Sequence, residues 1–343
     1  MRVLVHFHVH YHDQVEWFVS RLANIGGCEW DLFVTFSSMP PETEAMLKAL
    51  KPDVHLVRTD NVGYDVWPFI SLVKSVRLED YDLVLKLHTK SRSPIRVHRL
   101  KYEGYEWRNA LVDSILKSPG QFGRALRAFR DDKVGLVCSD AFRMETLGWC
   151  EEEAGLLDGE LKRLGLAVSD RHFCVGTMFL VRASVLEFLR RAEITADMFP
   201  VKMASNSKGT MAHVYERILS MAPGAYGYKT VCLSSDPLRS LYLNADRLFT
   251  GLFRNLFSVN REGPDREKIL RLMGLKIRIP SRERVAASAK IVLFAHILNP
   301  LFLSREARSR RRGEVISRAV DKYLDSYVPV IRSVSAAGPL PSD

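Results

Sequence analysis

Apolar positions along this chain switch between a period of two and a period near 3.6, and the switches mark out its elements. Val3-Leu-Val-His-Phe-His-Val-His-Tyr11 reads as a first strand. Asp13 to Asn24 then sets Val15, Phe18, Val19 and Leu22 at helical spacing. Trp30 to Phe36, Val54 to Arg58 and Tyr81 to Leu87 predict three more strands. Helices over Pro41 to Leu50 and Val66 to Val76 separate them; the first has a proline at its start and Pro52 just past its end. This β-α-β alternation predicts an α/β fold with a doubly wound, mostly parallel sheet. Further helices are expected over Glu106 to Lys117, Gly120 to Arg130, Glu151 to Leu164, Ala183 to Arg190 and Thr210 to Met221. Strands are expected at Val134 to Cys138 and through Phe173 to Val181, with a turn-rich close at Pro223 to Tyr228. A single domain over residues 1–235 follows.

The pattern changes beyond that point. Residues 236–335 predict a basic, mainly helical region, with amphipathic basic stretches at Asp246 to Leu256 and Arg266 to Met273. Val285 to Leu303 is apolar but interrupted by Lys290, His296, Asn299 and Pro300, and Arg305 to Arg312 holds five arginines. A spanning helix needs about 20 mainly apolar residues, so an interfacial helix with a polybasic flank fits this run better. Packing of the same helix on the main domain, with solvated arginines, is the other reading. Residues 336–343 read as a loose tail.

Charge is distributed in the same way. Residues 247–343 hold 19 Lys and Arg against 9 Asp and Glu, which is the whole of the net +10. Such asymmetry points to an acidic membrane surface. Nucleic acid is not expected, since no RNA-binding motif or aromatic platform accompanies the arginines. Five widely spaced cysteines without a C-x-x-C pair read as reduced thiols. No secretory signal precedes the first strand, so the expected location is cytoplasmic and peripheral to the inner face of the membrane.

The chemistry concentrates in Tyr81-Asp-Leu-Val-Leu-Lys-Leu-His-Thr-Lys-Ser91. Lys86, His88 and Lys90 alternate, so an extended backbone projects all three from one face. Three cations so close repel one another unless an anion sits among them, and a diphosphate is the candidate anion. A cluster of surface lysines with a core histidine is the plain alternative.

Taken in order, several segments resemble the rhamnan synthesis protein F family of bacterial polysaccharide glycosyltransferases. They are Val5 to Tyr11, Asp31 to Thr35, Asn61-Val-Gly-Tyr-Asp-Val-Trp-Pro-Phe69, Tyr81 to Ser91, Trp107-Arg108, Gly176 to Arg182 and Ala212 to Arg217. The resemblance covers roughly residues 3–230. It implies a GT-A-like fold and transfer of a sugar, typically a deoxyhexose such as rhamnose. The donor implied is a dTDP- or GDP-linked sugar, and the acceptor a lipid-linked oligosaccharide or growing surface polysaccharide. A catalytically reduced GT-A module, acting as a nucleotide-sugar-binding or scaffold protein, is the alternative function.

Glycosyl transfer needs stabilisation of a departing nucleoside diphosphate and a base for the acceptor hydroxyl. Many GT-A enzymes meet the first need with an Asp-x-Asp motif and a divalent metal. Here Lys86-Leu-His-Thr-Lys90 stands where that motif would be, so the cations are expected to replace Mg or Mn, and no metal ligand is assigned. Glu216 is the candidate base, with His213 on the same helical face to orient it; an ordinary Glu216–Arg217 surface pair is the alternative. Asn61, Gly63 and Asp65 are candidates for the base or ribose, with Asp65 as a simple helix cap the competing reading. His10 and Tyr11 end the first strand, where they can touch the nucleotide, while His6 is assigned to the core. Gly176 and Thr177 read as shaping the acceptor or sugar pocket, with a buried strand carrying a Gly bulge as the alternative. Arg182 is expected either to reach the donor phosphate or to pair with Glu187. Trp107 and Arg108 read as helix anchors.

Overall fold

A computed structural model describes residues 1–97, 100–146, 151–199 and 210–236, parts of 238–248, and the strand backbone within 257–279. The chain divides into two compact units, Met1–Asp246 and Arg247–Asp343.

The first unit alternates as the apolar pattern predicts. Strand β1 (Arg2–Val9) leads to α1 (Val15–Leu22), β2 (Glu29–Phe36), α2 (Pro41–Leu50), β3 (His55–Arg58), α3 (Val66–Ser75) and β4 (Leu83–His88). A short hairpin, β5 (Ile95–Val97) and β6 (Leu100–Tyr102), precedes α4 (Glu106–Leu116), α5 (Pro119–Ala128) and β7 (Val134–Ser139). Then come β8 (Arg143–Glu145), α6 (Glu151–Arg163), β9 (His172–Cys174), β10 (Phe179–Arg182), α7 (Glu187–Arg191), α8 (Met211–Ala225) and β11 (Lys229–Leu233). The main sheet runs β11-β7-β10-β4-β1-β2-β3. Only β10 is antiparallel to its neighbours. Every residue of β4 and β7 is buried, as a parallel sheet covered on both faces requires.

Several boundaries depart from the sequence reading. The stretch from Phe173 to Val181 is two strands, because Gly176 and Thr177 take left-handed φ of 90° and 43° and turn the chain between them. Helix α8 runs on through Pro223 to Ala225, where a turn was expected. β11 was missed in the sequence; Lys229-Thr-Val-Cys-Leu233 is a short edge strand with no alternating pattern to announce it.

In the second unit, β12 (Phe257–Glu262), β13 (Glu267–Leu272) and β14 (Leu275–Ile279) form an antiparallel three-stranded sheet. The helix expected over Arg266 to Met273 is therefore a strand. The sequence carries the signal: Lys276-Ile-Arg-Ile279 alternates strictly, and only two residues, one of them Gly274, separate β13 from β14. The apolar run from Val285 to Leu303 and the arginine cluster lie outside the described residues. Among the described residues, no helix is long and apolar enough to cross a membrane.

Candidate active site

Strands β1, β2 and β3 succeed one another in one direction across the sheet, while β4 lies on the other side of β1. The order of strand addition thus reverses between β1 and β4, which remain parallel, and a ligand crevice forms at the carboxyl ends of strands at such a switch point. A cavity of about 610 Å³ opens there. Ten residues singled out in the sequence line it: His10, Tyr11, Asn61, Gly63, Asp65, His88, Lys90, Gly176, His213 and Glu216. They come from the ends of β1 and β4, the loop before α3, the β9–β10 turn and α8.

Lys86 is placed differently from the sequence expectation. It is fully buried beneath the pocket and does not line it. Its ammonium bonds the Asp65 carboxylate and donates to Thr177 Oγ1 (3.0 Å) and Thr177 O (3.2 Å). The anion demanded by the cation cluster is thus supplied by the chain itself. Asp65 makes no cap bond to α3. Instead Asp65 Oδ2 also accepts from Thr177 Oγ1 (2.7 Å), and Oδ1 lies 3.4 Å from His88 Nδ1. Burial opposes ionisation of Asp65, but His88, Lys86 and Lys90 outweigh it and hold the carboxyl well below its ordinary value.

His88 joins the same network. Its Nε2 lies 2.8 Å from Gly176 O, and since a carbonyl only accepts, Nε2 carries the proton. Burial pushes this imidazole well below its usual range, against the pull of Asp65. His6 and His8 share the Thr35 hydroxyl, at 2.8 and 3.0 Å. Burial also pushes both down, His8 to about 4. His6 is core, as expected; His8 reaches the pocket wall.

Lys90 is the ammonium that remains at the pocket surface. It sits 3.7 Å from the centre of the Trp107 ring, a cation–π contact, and burial lowers its pKa against the pull of the more distant Asp65 and Glu216 carboxylates. Its backbone is fixed by Gln14, which donates to Lys90 O (2.6 Å) and accepts from Lys90 N (3.2 Å). Thr89 Oγ1 accepts from the N–H groups of His10 (2.9 Å) and Tyr11 (3.0 Å), tying the ends of β1 and β4 together. Trp107, read as an anchor, lines the pocket with Tyr64 and Thr89. Arg108 does anchor its helix, stacked between Trp17 (3.9 Å) and Tyr105 (4.1 Å).

On α8, Glu216 Oε1 accepts from Gly176 N (2.8 Å). His213 Nδ1 bonds Thr210 Oγ1 (2.8 Å) rather than Glu216, so the expected pairing is not formed in this arrangement. Arg217 is no surface partner of Glu216; it is buried and donates to His213 O (2.6 Å). Arg182 lies at the far end of the sheet, because β10 runs antiparallel and sets Arg182 beside Leu83 at the start of β4. It bonds the carbonyls of Val134 (2.7 Å), Phe129 and Asp131 (both 3.2 Å), and so reaches neither the pocket nor Glu187.

Gly63 shows why this loop needs a glycine. Its φ is +63°, and a Cβ there would lie 2.9 Å from the Cβ atoms of both Phe199 and Trp67. Gly63→Ala is expected to destabilise the domain by about 1–3 kcal/mol, read as a lower urea midpoint at unchanged m-value. An unshifted midpoint would show that the loop relaxes freely.

Lys86 occupies Asp65, and among the described residues no group of three His, Cys, Asp or Glu could hold a metal ion.

Fold and pocket together define an α/β domain with polar side chains gathered around a cavity at the switch point of its sheet. The chain belongs to the rhamnan synthesis protein F family, whose sequence profile matches residues 1–228. Two uncharacterised WxcX proteins from strains of Xanthomonas campestris pv. campestris are 30% and 29% identical to it over 173 residues. The match covers 50% of this chain but only 24% of theirs, so the chain spans about a quarter of the curated relatives it matches. Among solved structures, S. aureus TarS 1-349 is similar with TM-score 0.36 and 11% identity, covering 74% of this chain and 66% of that one. A mycobacterial protein is similar with TM-score 0.34 and 13% identity, covering 82% and 84%.

Proposed function

We propose that this chain is a GT-A-like glycosyltransferase that moves a sugar from a nucleoside-diphosphate donor to a growing bacterial surface polysaccharide. Membership of a rhamnan synthesis family favours rhamnose or another deoxyhexose, carried on dTDP or GDP. The observation that carries the reading is the pairing across Gly176. Lys90, an ammonium against the Trp107 ring, and Glu216, a carboxylate held by one oxygen, line the same pocket.

In this reading Lys90 takes the negative charge that develops on the departing diphosphate. Glu216 removes the proton from the acceptor hydroxyl. In this reading Lys86 and His88 do not contribute cations to the ligand, since Asp65 neutralises the first and burial disfavours the charged form of the second. In this reading the reaction needs no metal, because the Lys90 ammonium stands at the strand end where paired carboxylates would hold one. The basic charge of residues 247–343 would keep the enzyme against an acidic membrane face, near a lipid-linked acceptor.

The same charge balance favours a second reading. With Lys86 already paired, a single ammonium faces the ligand, which also suits a module that binds nucleotide sugar without turnover. Lys90→Ala decides whether this ammonium meets a phosphate. Affinity for the nucleoside diphosphate should fall about 10- to 100-fold by calorimetry, as expected for loss of a charged hydrogen bond. Unchanged affinity would remove Lys90 from the site.

A further inference from the structure

Beside the pocket, Gly176 and Thr177 are tied down along their whole backbone. All four of their backbone polar groups are bonded. Gly176 N–H donates to Glu216 Oε1 (2.8 Å), and Gly176 O accepts from His88 Nε2 (2.8 Å). Thr177 N–H donates to Cys174 O (3.1 Å), and Thr177 O accepts from Lys86 Nζ (3.2 Å). The Thr177 hydroxyl donates to Asp65 (2.7 Å) and accepts from Lys86 (3.0 Å). This is also strained backbone. Thr177 is β-branched and sits at φ 43°, a region such residues avoid unless the surroundings over-determine it.

We infer that Lys86 and Thr177 are positioning residues: with Asp65 they lock the left-handed β9–β10 turn, and the locked Gly176 N–H aims the Glu216 carboxylate into the pocket. The inference rests on the proposed transfer reaction, for which Glu216 is the base. Neither Lys86 nor Thr177 lines the cavity, so neither acts by touching the ligand. Stability alone does not explain a lysine here, since a buried ion pair is often no more stabilising than apolar residues of the same volume. What the pair supplies is direction: three bonds from one ammonium fix one carboxylate and both oxygens of one threonine. The Lys-x-His-x-Lys motif then divides by role. Its first two members build the turn, and the third faces the ligand.

Gly176 itself leaves no freedom. A Cβ there would lie 2.8 Å from Leu111 Cδ1, 3.3 Å from Trp107 Nε1 and 3.4 Å from Lys90 Nζ. The turn therefore also fixes the spacing between the base and the ammonium.

The test compares Thr177→Val, Thr177→Ser and Lys86→Met with the wild type, in the full chain. Valine keeps the shape of threonine and deletes the hydroxyl; serine keeps the hydroxyl. Thr177→Val is expected to lower kcat at least about tenfold while donor affinity stays within about twofold, the pattern of an interaction needed only at the transition state. Thr177→Ser should stay within about threefold of wild-type kcat, since the bonds to Lys86 and Asp65 remain. Hydrogen exchange at the Gly176 amide should quicken in Thr177→Val and Lys86→Met, and not in Thr177→Ser. Wild-type kcat in Thr177→Val, or equal losses in the valine and serine variants, would overturn the inference. If Lys86→Met does not fold, the Thr177 pair decides alone. If the wild type transfers no sugar, the transfer reading fails, and exchange at Gly176 decides the positioning role: an unchanged rate in Thr177→Val overturns it, a faster one supports it.

Discussion

Replacing Glu216 by glutamine is expected to abolish sugar transfer and leave donor binding intact. The substitution keeps the length of the side chain and its oxygen, so the bond from Gly176 N–H survives. It removes the basic carboxylate, and loss of a positioned general base typically costs about 10²- to 10⁴-fold in rate. Donor affinity should hold, because the proposed phosphate contact is Lys90 rather than Glu216. Rapid-quench measurement of transfer, alongside calorimetry of donor binding, separates the two effects. Turnover retained in Glu216→Gln would remove it as the base. A parallel loss of donor binding would mean that the carboxylate orders the pocket rather than reacts.

Asp65→Asn is expected to give the largest loss of stability, about 3–5 kcal/mol, because it leaves the Lys86 ammonium buried without a counter-charge. The pH dependence carries a matching signature. Burial holds His6, His8 and His88 below their ordinary 6.5, so the unfolded chain binds protons that the folded chain refuses. Stability should therefore fall as pH drops below 6.5, continuing to about 4 where folded His8 protonates. Asp65 acts at lower pH. Its folded carboxyl is depressed below 3.8, so its contribution is present above that value and is lost as pH falls further. Urea midpoints measured against pH should show both limbs in the wild type. In Asp65→Asn the histidine limb should remain and the acid limb shrink; an unchanged acid limb would contradict the assigned ion pair.

Much of the first unit was legible because its signals are local. The buried runs of β1 and β4 and the amphipathic faces of α1 and α3 repeat at the spacing of their own elements. His10, Tyr11, His88 and Lys90 could be named because they sit at strand ends that the α/β alternation marks, whereas His213 and Glu216, within α8, were named from the family resemblance. The failures involve long-range partners. Nothing local to Lys86 shows that Asp65, 21 residues earlier, will neutralise it. Arg182 looks like a phosphate ligand until the antiparallel course of β10 carries it to the opposite end of the sheet. Trp107 carried no polar signature, and its role emerges only when α4 brings its ring against Lys90. The strand β13 was missed for a different reason: in a short basic stretch, charge overshadowed a period-two pattern that the neighbouring Lys276 to Ile279 repeats more clearly.

Binding of a nucleoside diphosphate through Lys90 without a metal is tested by calorimetry of dTDP, GDP, UDP and their sugars with EDTA present. One base series is expected to bind under these conditions, with Trp107 fluorescence changing as phosphate displaces the Lys90 ammonium from its ring. Binding only after addition of Mg²⁺ or Mn²⁺, or no binding of any nucleotide under either condition, would contradict that mode of binding.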